Sequence, residues 1–154
     1  MGSETIGPEE FIQEPETTRV MTKMELVEWV YKQKPGVVIG ILLAGDRLDC
    51  CDEAVGRVVE EEIVSVATIA PQGEYGAGEP AIVALYTAPE HRRKGYGRDT
   101  FRAAIARSKE RGLPRLRVDV MSSHVMRIIE GLTEEEREFL DVHDLGGVID
   151  RFLE

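Results

Sequence analysis

The chain has 154 residues, about the length of one domain, with 42% hydrophobic and 31% charged residues. This composition excludes wholesale disorder, and the longest apolar run, residues 37–45, is too short to span a bilayer. The net charge of −10 disfavours binding to nucleic acid or to an anionic membrane.

The N-terminal residues 1–18 hold five glutamates and no lysine or arginine, which predicts a mobile acidic tail, with or without a short strand at its end, ahead of a single domain over residues 19–154. The tail has no apolar segment of the kind found in secretory signals. The two cysteines, Cys50 and Cys51, are adjacent and cannot build a disulfide framework. We therefore expect a cytoplasmic protein.

The first part of the domain contains one clear helix. Thr22 and Glu25 have the spacing of a capping box and predict a helix through about Tyr31, before a Lys-Pro-Gly breaker. Residues 37–44 are apolar throughout and fit either a buried strand or a buried helix, which periodicity cannot separate. Residues 46–53 indicate a loop or an irregular helical turn.

Residues 54–88 have the pattern of consecutive strands. Runs 54–59 and 63–70 are rich in β-forming residues and are separated by three glutamates, which predicts a hairpin. Residues 71–80 contain three glycines and two prolines and predict a loop. Residues 81–88 form a further strand that a proline stops.

The rest of the chain alternates between helix and strand. An apolar stripe and a basic last turn predict a helix over residues 97–111, and alternation predicts a strand over 116–121. Ser122 or Ser123 caps the next helix, and a second capping box begins at Thr133. The C-terminal stretch fits either a helix or a short hairpin.

The basic residues are concentrated in one segment. Residues 89–117 hold ten basic and three acidic residues and carry +7, so the remainder of the chain carries −17. A solvated helix face is one explanation. A discrete polyanionic ligand explains a local basic island better than nucleic acid does, since nucleic acid needs a more extensive basic surface.

The run Arg92-Arg93-Lys94-Gly95-Tyr96-Gly97 lies between a predicted strand and a predicted helix. At such a junction the free N–H groups of the helix N-terminus converge on one spot, which favours phosphate. Glycines let the backbone approach the ligand, and arginines add charge-assisted hydrogen bonds. The run is neither a P-loop nor a dinucleotide fingerprint, because it lacks the required glycine and lysine spacing.

Residues 81–97, AIVALYTAPEHRRKGYG, resemble the core of the GNAT superfamily of acyl-CoA-dependent N-acyltransferases. In that family a strand ends in V-x-P-x-x-R/Q-x-x-G-x-G/A and leads into a helix, and residues 87–97 match with Thr87 in place of valine. The resemblance covers about residues 54–132. It implies an α/β fold of the α+β type, with a mixed, mostly antiparallel sheet flanked by helices and acyl-CoA in a cleft beside the strand 81–88.

The resemblance also implies positions for the cofactor. The backbone of Leu85, Tyr86 and Thr87 would contact pantetheine and the acyl carbonyl. The turn amides would hold the pyrophosphate, and Ser122 or Ser123 stands where the family commonly has a cofactor-contacting asparagine. The implied turn residues are Arg92, Arg93, Lys94, Gly95, Tyr96, Gly97 and Arg98.

Tyr86, Asp119 and His124 are the candidates for proton transfer. Each has a simpler interpretation, as a core aromatic, as an ion pair with Arg117, and as a helix cap or ion pair, respectively. The family often protonates the leaving thiolate with a tyrosine on the last helix, and the helix from His124 to Leu132 has none, so the acid is unassigned. No metal is expected, because the histidines and cysteines lack ligand spacing. Cys50 has no basic neighbour that would activate it as a nucleophile.

The expected activity is transfer of an acetyl group from acetyl-CoA to a primary amine of a small molecule or of a protein or peptide. The amine would attack directly in a ternary complex. Two alternatives stay open: a non-catalytic acyl-CoA-binding regulatory module, which the missing tyrosine permits, and a nucleic-acid-interacting protein that uses the basic island. The acceptor amine is not identified, and a homodimer is compatible with the resemblance because many such domains dimerise.

Overall fold

The computed structural model of the chain describes residues 17–33, 53–70, 79–120 and 123–144. Several predictions concern residues outside these ranges. They are the predictions for most of the acidic tail, for the apolar run 37–44 and the turn that follows it, for most of the loop 71–80, and for the C-terminal hairpin. The two cysteines also lie outside them.

The described residues form six strands and four α-helices, with one short 3₁₀ turn at Pro89–His91. Strands and helices alternate along the chain after the central hairpin, as the sequence pattern predicts up to the second capping box, whereas for the final strand, Leu140–His143, the pattern fits either a helix or a hairpin. In chain order the elements are β1 Thr18–Thr22, α1 Lys23–Lys32, β2 Glu53–Val59, β3 Glu62–Ala70, β4 Ala81–Thr87, α2 Tyr96–Glu110, β5 Leu116–Asp119, α3 Ser123–Glu130, α4 Glu134–Glu138 and β6 Leu140–His143.

The six strands lie side by side in their chain order in a single sheet. Strands β1 to β4 pair antiparallel, and β5 and β6 join parallel at the far edge. The parallel connections are made by α2 and by the α3–α4 segment, since parallel strands need a crossover. The predicted fold class, a mixed and mostly antiparallel sheet flanked by helices, is confirmed. Within the described ranges, no helix is long and apolar enough to cross a membrane.

Both predicted capping boxes are present. Thr22 Oγ1 accepts the Glu25 N–H at 3.1 Å, while the Glu25 carboxylate accepts the Thr22 N–H at 3.0 Å, so that two otherwise free donors at the start of α1 are satisfied. Thr133 and Glu136 repeat the arrangement at the start of α4, with distances of 3.1 and 2.9 Å. These local signals fix where the two helices begin.

Hydrophobic side chains pack on both faces of the sheet. Phe101 and Ile105 of α2 lie in a cluster with α3 on one face. Trp29 of α1 lies in a second cluster on the other face. Because side chains alternate along a strand, β4 directs Leu85 toward the α2 cluster and Tyr86 toward Trp29.

Strands β4 and β5 separate soon after they meet. They pair only at Ala81 with Arg117 and at Ile82 with Val118, whereas β4 continues to Thr87. The later residues of β4 therefore lack a neighbour from β5, and a cleft opens beside them. The first turn of α2 and one side of α3 border this cleft.

Candidate functional site

A cavity of about 620 Å³ lies where β4 leaves β5. The end of β4, the turn that follows it, the first turn of α2 and one face of α3 form its walls. The lining residues are Leu85, Tyr86, Thr87, His91, Arg92, Arg93, Gly95, Tyr96, Gly97, Arg98, His124, Val125, Arg127 and Ile128.

Nine of the eleven residues that the sequence suggested for cofactor contact line this cavity, as does His124. Among the described residues, Lys94, Ser123 and Asp119 are not part of its lining. Sequence reasoning did not assign His91 or Arg127 to the site. Arg127 follows His124 by three positions on a helix, and this spacing is the signal that could have placed both on one face.

The turn before α2 has a backbone that favours an anion. Arg93 and Gly95 both adopt left-handed conformations, with φ of 67° and 83°. Gly95 is the N-cap of α2, and no side chain caps the helix. The N–H groups of the first helical turn are thus left for another acceptor, next to the positive end of the helix dipole.

At Gly97, α2 lies close to the end of β4 and to α3. A Cβ atom at this position would lie 3.3 Å from Thr87 Oγ1, 3.7 Å from His124 Nε2 and 3.9 Å from Ile128 Cδ1. Thr87 is itself held by Ser65, whose hydroxyl lies 2.9 Å from its own. The absence of a side chain at Gly97 therefore brings α2, α3 and the end of β4 together around the cavity.

Cationic side chains surround the cavity from both helices. The Arg92 Nε–H donates to the Thr87 carbonyl oxygen at 2.9 Å, and its guanidinium lies 5.3 Å from the centroid of the Tyr86 ring. Arg93 and Arg98 are exposed on the turn side, and Arg127 faces the cavity from α3. This arrangement matches a ligand with several negative charges.

Two residues that line the cavity each carry a buried polar atom with no hydrogen-bond partner among the described residues: the Tyr86 hydroxyl and His91 Nδ1. Tyr86 is 3% exposed, and its ring meets that of Trp29 edge-on at 5.9 Å. Leaving such a group unsatisfied costs about 1–3 kcal/mol. Each of the two atoms therefore has unused hydrogen-bonding capacity.

The backbone of β4 also faces the cleft. The Ala88 N–H donates to the Val64 carbonyl oxygen on β3 at 2.9 Å. Because N–H directions alternate along a strand, those of Leu85 and Thr87 point away from β3, toward the side where β5 has already diverged. Two backbone donors are therefore directed at the cavity.

Asp119, which does not line the cavity, lies in a network of ion pairs. Its carboxylate accepts the Arg117 Nε–H at 2.7 Å, which is the simpler interpretation that the sequence offered. The hydrogen bond with Asp119 is the main reason that the pKa of Arg117 is raised, and Glu79 adds to it from 3.5 Å. Asp119 is half-buried, like its partner.

A cluster that the sequence did not reveal adjoins this network. Ligand atoms of Glu79, Asp141 and His143 lie within 4.8 Å of one another. His143 Nε2 lies 3.1 Å from Asp141 Oδ2, and this hydrogen bond is the main reason that the pKa of Asp141 is lowered. Arg115 and Arg117 approach Glu79 at 3.6 and 3.5 Å. The carboxylates are thus largely balanced by cations of the chain itself.

Comparison with known proteins gives a consistent result. The family model described as the acetyltransferase (GNAT) family matches residues 25–128. No curated protein matches the sequence significantly. Three solved structures share the fold at low sequence identity.

The aminoglycoside N-acetyltransferase AAC(6')-Iy in complex with CoA is 13% identical, with a TM-score of 0.53 over 76% of this chain and 87% of that one. A GCN5-related N-acetyltransferase from Ralstonia eutropha is 14% identical, with a TM-score of 0.50 over 75% and 91%. An aminoglycoside acetyltransferase from an uncultured soil metagenomic sample, in complex with sisomicin, is 14% identical, with a TM-score of 0.50 over 73% and 84%.

Proposed function

The chain belongs to the acetyltransferase (GNAT) family, and we propose that it transfers an acetyl group from acetyl-CoA to a primary amine by direct attack in a ternary complex. The observation that carries this proposal is the cationic cavity at the uncapped N-terminus of α2, beside the free edge of β4. The sequence motif lies at this junction, within the residues that the family model matches.

The residues of the cavity fit the cofactor. The pyrophosphate would lie against the turn from Arg92 to Arg98, including Lys94, where free N–H groups and guanidinium groups both donate. A Cβ at Gly97 would intrude between α2 and β4, so the cradle depends on glycine. In this proposal Ser123 supplies a further contact from the start of α3.

Backbone donors on β4 would orient the acyl end. Acetyl-CoA supplies the acetyl group as an activated thioester. The N–H groups of Leu85 and Thr87 face the cleft and suit the amide and carbonyl oxygens of the pantetheine and acyl portion. Ile128 and the partly buried Leu85 would exclude water from this end. Holding the two reactants together would convert a bimolecular reaction into an effectively unimolecular one and so raise the rate.

Tyr86 is our proposed donor of the proton that the leaving thiolate needs. Tyr86 lines the cavity, and its buried hydroxyl has no partner among the described residues. His124 lies on the same cavity but is exposed on α3, so water can replace it more easily. Asp119, proposed as an acceptor for the amine proton, is held by Arg117 and would act only by exchanging that partner.

The acceptor is proposed to be a primary amine of a small molecule or of a protein or peptide. The chain outside the basic segment carries −17, which favours an acceptor with positive charge. The adjacent cysteines, which cannot form a disulfide framework, support a reducing compartment such as the cytoplasm.

The test is a calorimetric titration with acetyl-CoA, followed by an assay of CoA thiol release with a panel of primary amines. We expect saturable binding and thiol release that depends on one class of amine. Tight binding without turnover on any amine would favour the alternative of a regulatory acyl-CoA-binding module. This alternative rests on α3, which has no tyrosine to serve as the usual acid.

A further inference from the structure

Arg57 of β2 connects the sheet to the first turn of α2. Its Nε–H donates to Asp99 Oδ2 at 3.0 Å, and its guanidinium lies 4.9 Å from the centroid of the Tyr96 ring. The same guanidinium donates to the carbonyl oxygens of Thr17 and Val58. The side chain is only 17% exposed, so its position is well defined by these contacts.

Arg57 belongs to a row of polar side chains beneath the turn. It pairs in register with Ser65 on β3, and Ser65 pairs with Thr87 on β4. Thr87 faces Gly97, and Arg57 reaches Asp99 and Tyr96. Opposed residues on neighbouring strands share one face of the sheet. The row therefore supports the helical turn that lines the cavity.

Asp99 is the acid in the first turn of α2. A carboxylate near a helix N-terminus stabilises the helix, but here it also lies one residue beyond the turn proposed for the pyrophosphate. Without a partner its charge would repel an anionic cofactor. The guanidinium of Arg57 supplies that partner from a different element of the fold.

We propose that Arg57 is a positioning residue for acyl-CoA: it neutralises Asp99 and holds the Tyr96 ring so that the first turn of α2 accepts a diphosphate. This inference rests on the proposed function, since it assumes that the cavity binds acyl-CoA. Arg57 acts through Asp99 and Tyr96 and need not touch the substrate itself. The pairing joins residues 42 positions apart, and neither lies in the motif that indicated the site.

The experiment compares Arg57→Gln, Asp99→Asn and the double variant by calorimetric titration with acetyl-CoA. Arg57→Gln should weaken binding about tenfold, the effect of one partly screened charge. Asp99→Asn alone should bind as tightly as wild type or more tightly. The double variant should regain affinity to within about threefold of wild type, because the unpaired carboxylate is gone.

Two controls separate this role from a merely structural one. Binding of S-acetyl-pantetheine, which has the thioester but no diphosphate, should not change in Arg57→Gln. Arg102→Gln breaks the pair that Arg102 makes with Glu136 at 2.8 Å, also on α2, and should leave acetyl-CoA affinity unchanged. Circular dichroism and thermal melting check that each variant is folded.

A double variant that binds as weakly as Arg57→Gln overturns the inference, as does unchanged acetyl-CoA affinity in a folded Arg57→Gln. If Arg57→Gln does not fold, the acetyl-CoA affinities of Arg57→Lys and Asp99→Asn still test the proposal. Arg57→Lys keeps the charge but not the planar guanidinium beside Tyr96, so it should lose less than the tenfold expected when the charge is removed, and a larger loss, or weaker binding by Asp99→Asn, would contradict the proposal. If the wild-type protein does not bind acetyl-CoA, the proposed function is refuted. If the wild type binds but the double variant does not regain the affinity that Arg57→Gln lost, only the role of Arg57 is refuted.

Discussion

Gly95→Glu tests the pyrophosphate site most sharply. Gly95 has a φ of +83° and caps α2, and a Cβ at this position would lie 3.3 Å from an Arg98 guanidinium nitrogen. A glutamate there would bring its carboxylate close to Arg98 and next to the free N–H groups of the helix. It would occupy the place proposed for the diphosphate and engage one of the cations meant for it.

The size of the effect follows from these contacts. Loss of one charge-assisted hydrogen bond from Arg98 costs about 1.5–3 kcal/mol, and repulsion between the new carboxylate and the diphosphate adds about 1 kcal/mol or more. Together they predict a rise in the Kd for acetyl-CoA of about 100-fold to 1000-fold. The left-handed backbone adds a separate cost of about 1–2 kcal/mol to folding, which most domains of this size survive.

Gly112→Glu is the matched control. Gly112 also has a left-handed backbone, with a φ of +78°, and no atom lies within 4 Å of its ideal Cβ position. The two variants share the strain and the added charge, but only Gly95→Glu alters the cavity. Calorimetry should show lost acetyl-CoA binding for Gly95→Glu and near-normal binding for Gly112→Glu. Unchanged affinity in a folded Gly95→Glu protein would refute the site.

Three further outcomes follow from the structure. Gly97→Val should weaken acetyl-CoA binding at least tenfold, because its side chain would meet Thr87 and push α2 from β4; normal affinity by calorimetry would contradict this. Tyr86→Phe should lower kcat more than His124→Ala does, with little change in acetyl-CoA affinity. The measurement is the pH–rate profile of each variant. A normal profile for Tyr86→Phe with an altered profile for His124→Ala would place the acid on α3. Burial raises the pKa of Glu136, but hydrogen bonds from Thr133 and Arg102 outweigh it and hold the pKa below its ordinary value of 4.5. The stabilisation from Glu136 is therefore present above about pH 4.5 and is lost as the pH falls through the lowered pKa. Urea unfolding should show Glu136→Gln about 0.5–1 kcal/mol less stable at pH 7 and nearly equal to wild type at low pH, and a difference that does not change with pH would contradict the assignment.

The parts of the fold that the sequence predicted depend on local patterns. Capping boxes at Thr22 and Thr133 use partners three residues away, and hairpin and helix patterns repeat within one element. The anion-binding turn was found for the same reason, since strand end, arginines and glycines are consecutive. The left-handed backbone of Arg93 in this turn was not predicted, because an arginine in a sequence does not indicate a positive φ.

The remaining features arise from contacts between distant segments. Strands β4 and β5 separate early because the hydrogen bonding between them ends after two residue pairs. The sequence of either strand alone does not indicate where this pairing ends. Glu79, Asp141 and His143 meet because β6 pairs in parallel with β5, a pairing that the ambiguous C-terminal pattern did not predict. Arg57 reaches Asp99 only after the sheet has been assembled. Tertiary pairing, not propensity, determines these positions.

The central claim is that this cavity presents acetyl-CoA to an amine. The most direct measurement is the amine-dependent release of the CoA thiol from acetyl-CoA, with the acetylated amine identified by mass spectrometry, in wild type and in Gly95→Glu. We predict release in the wild type that requires both substrates and falls at least 100-fold in Gly95→Glu at subsaturating acetyl-CoA. Equal amine-dependent release by the two proteins would contradict the account.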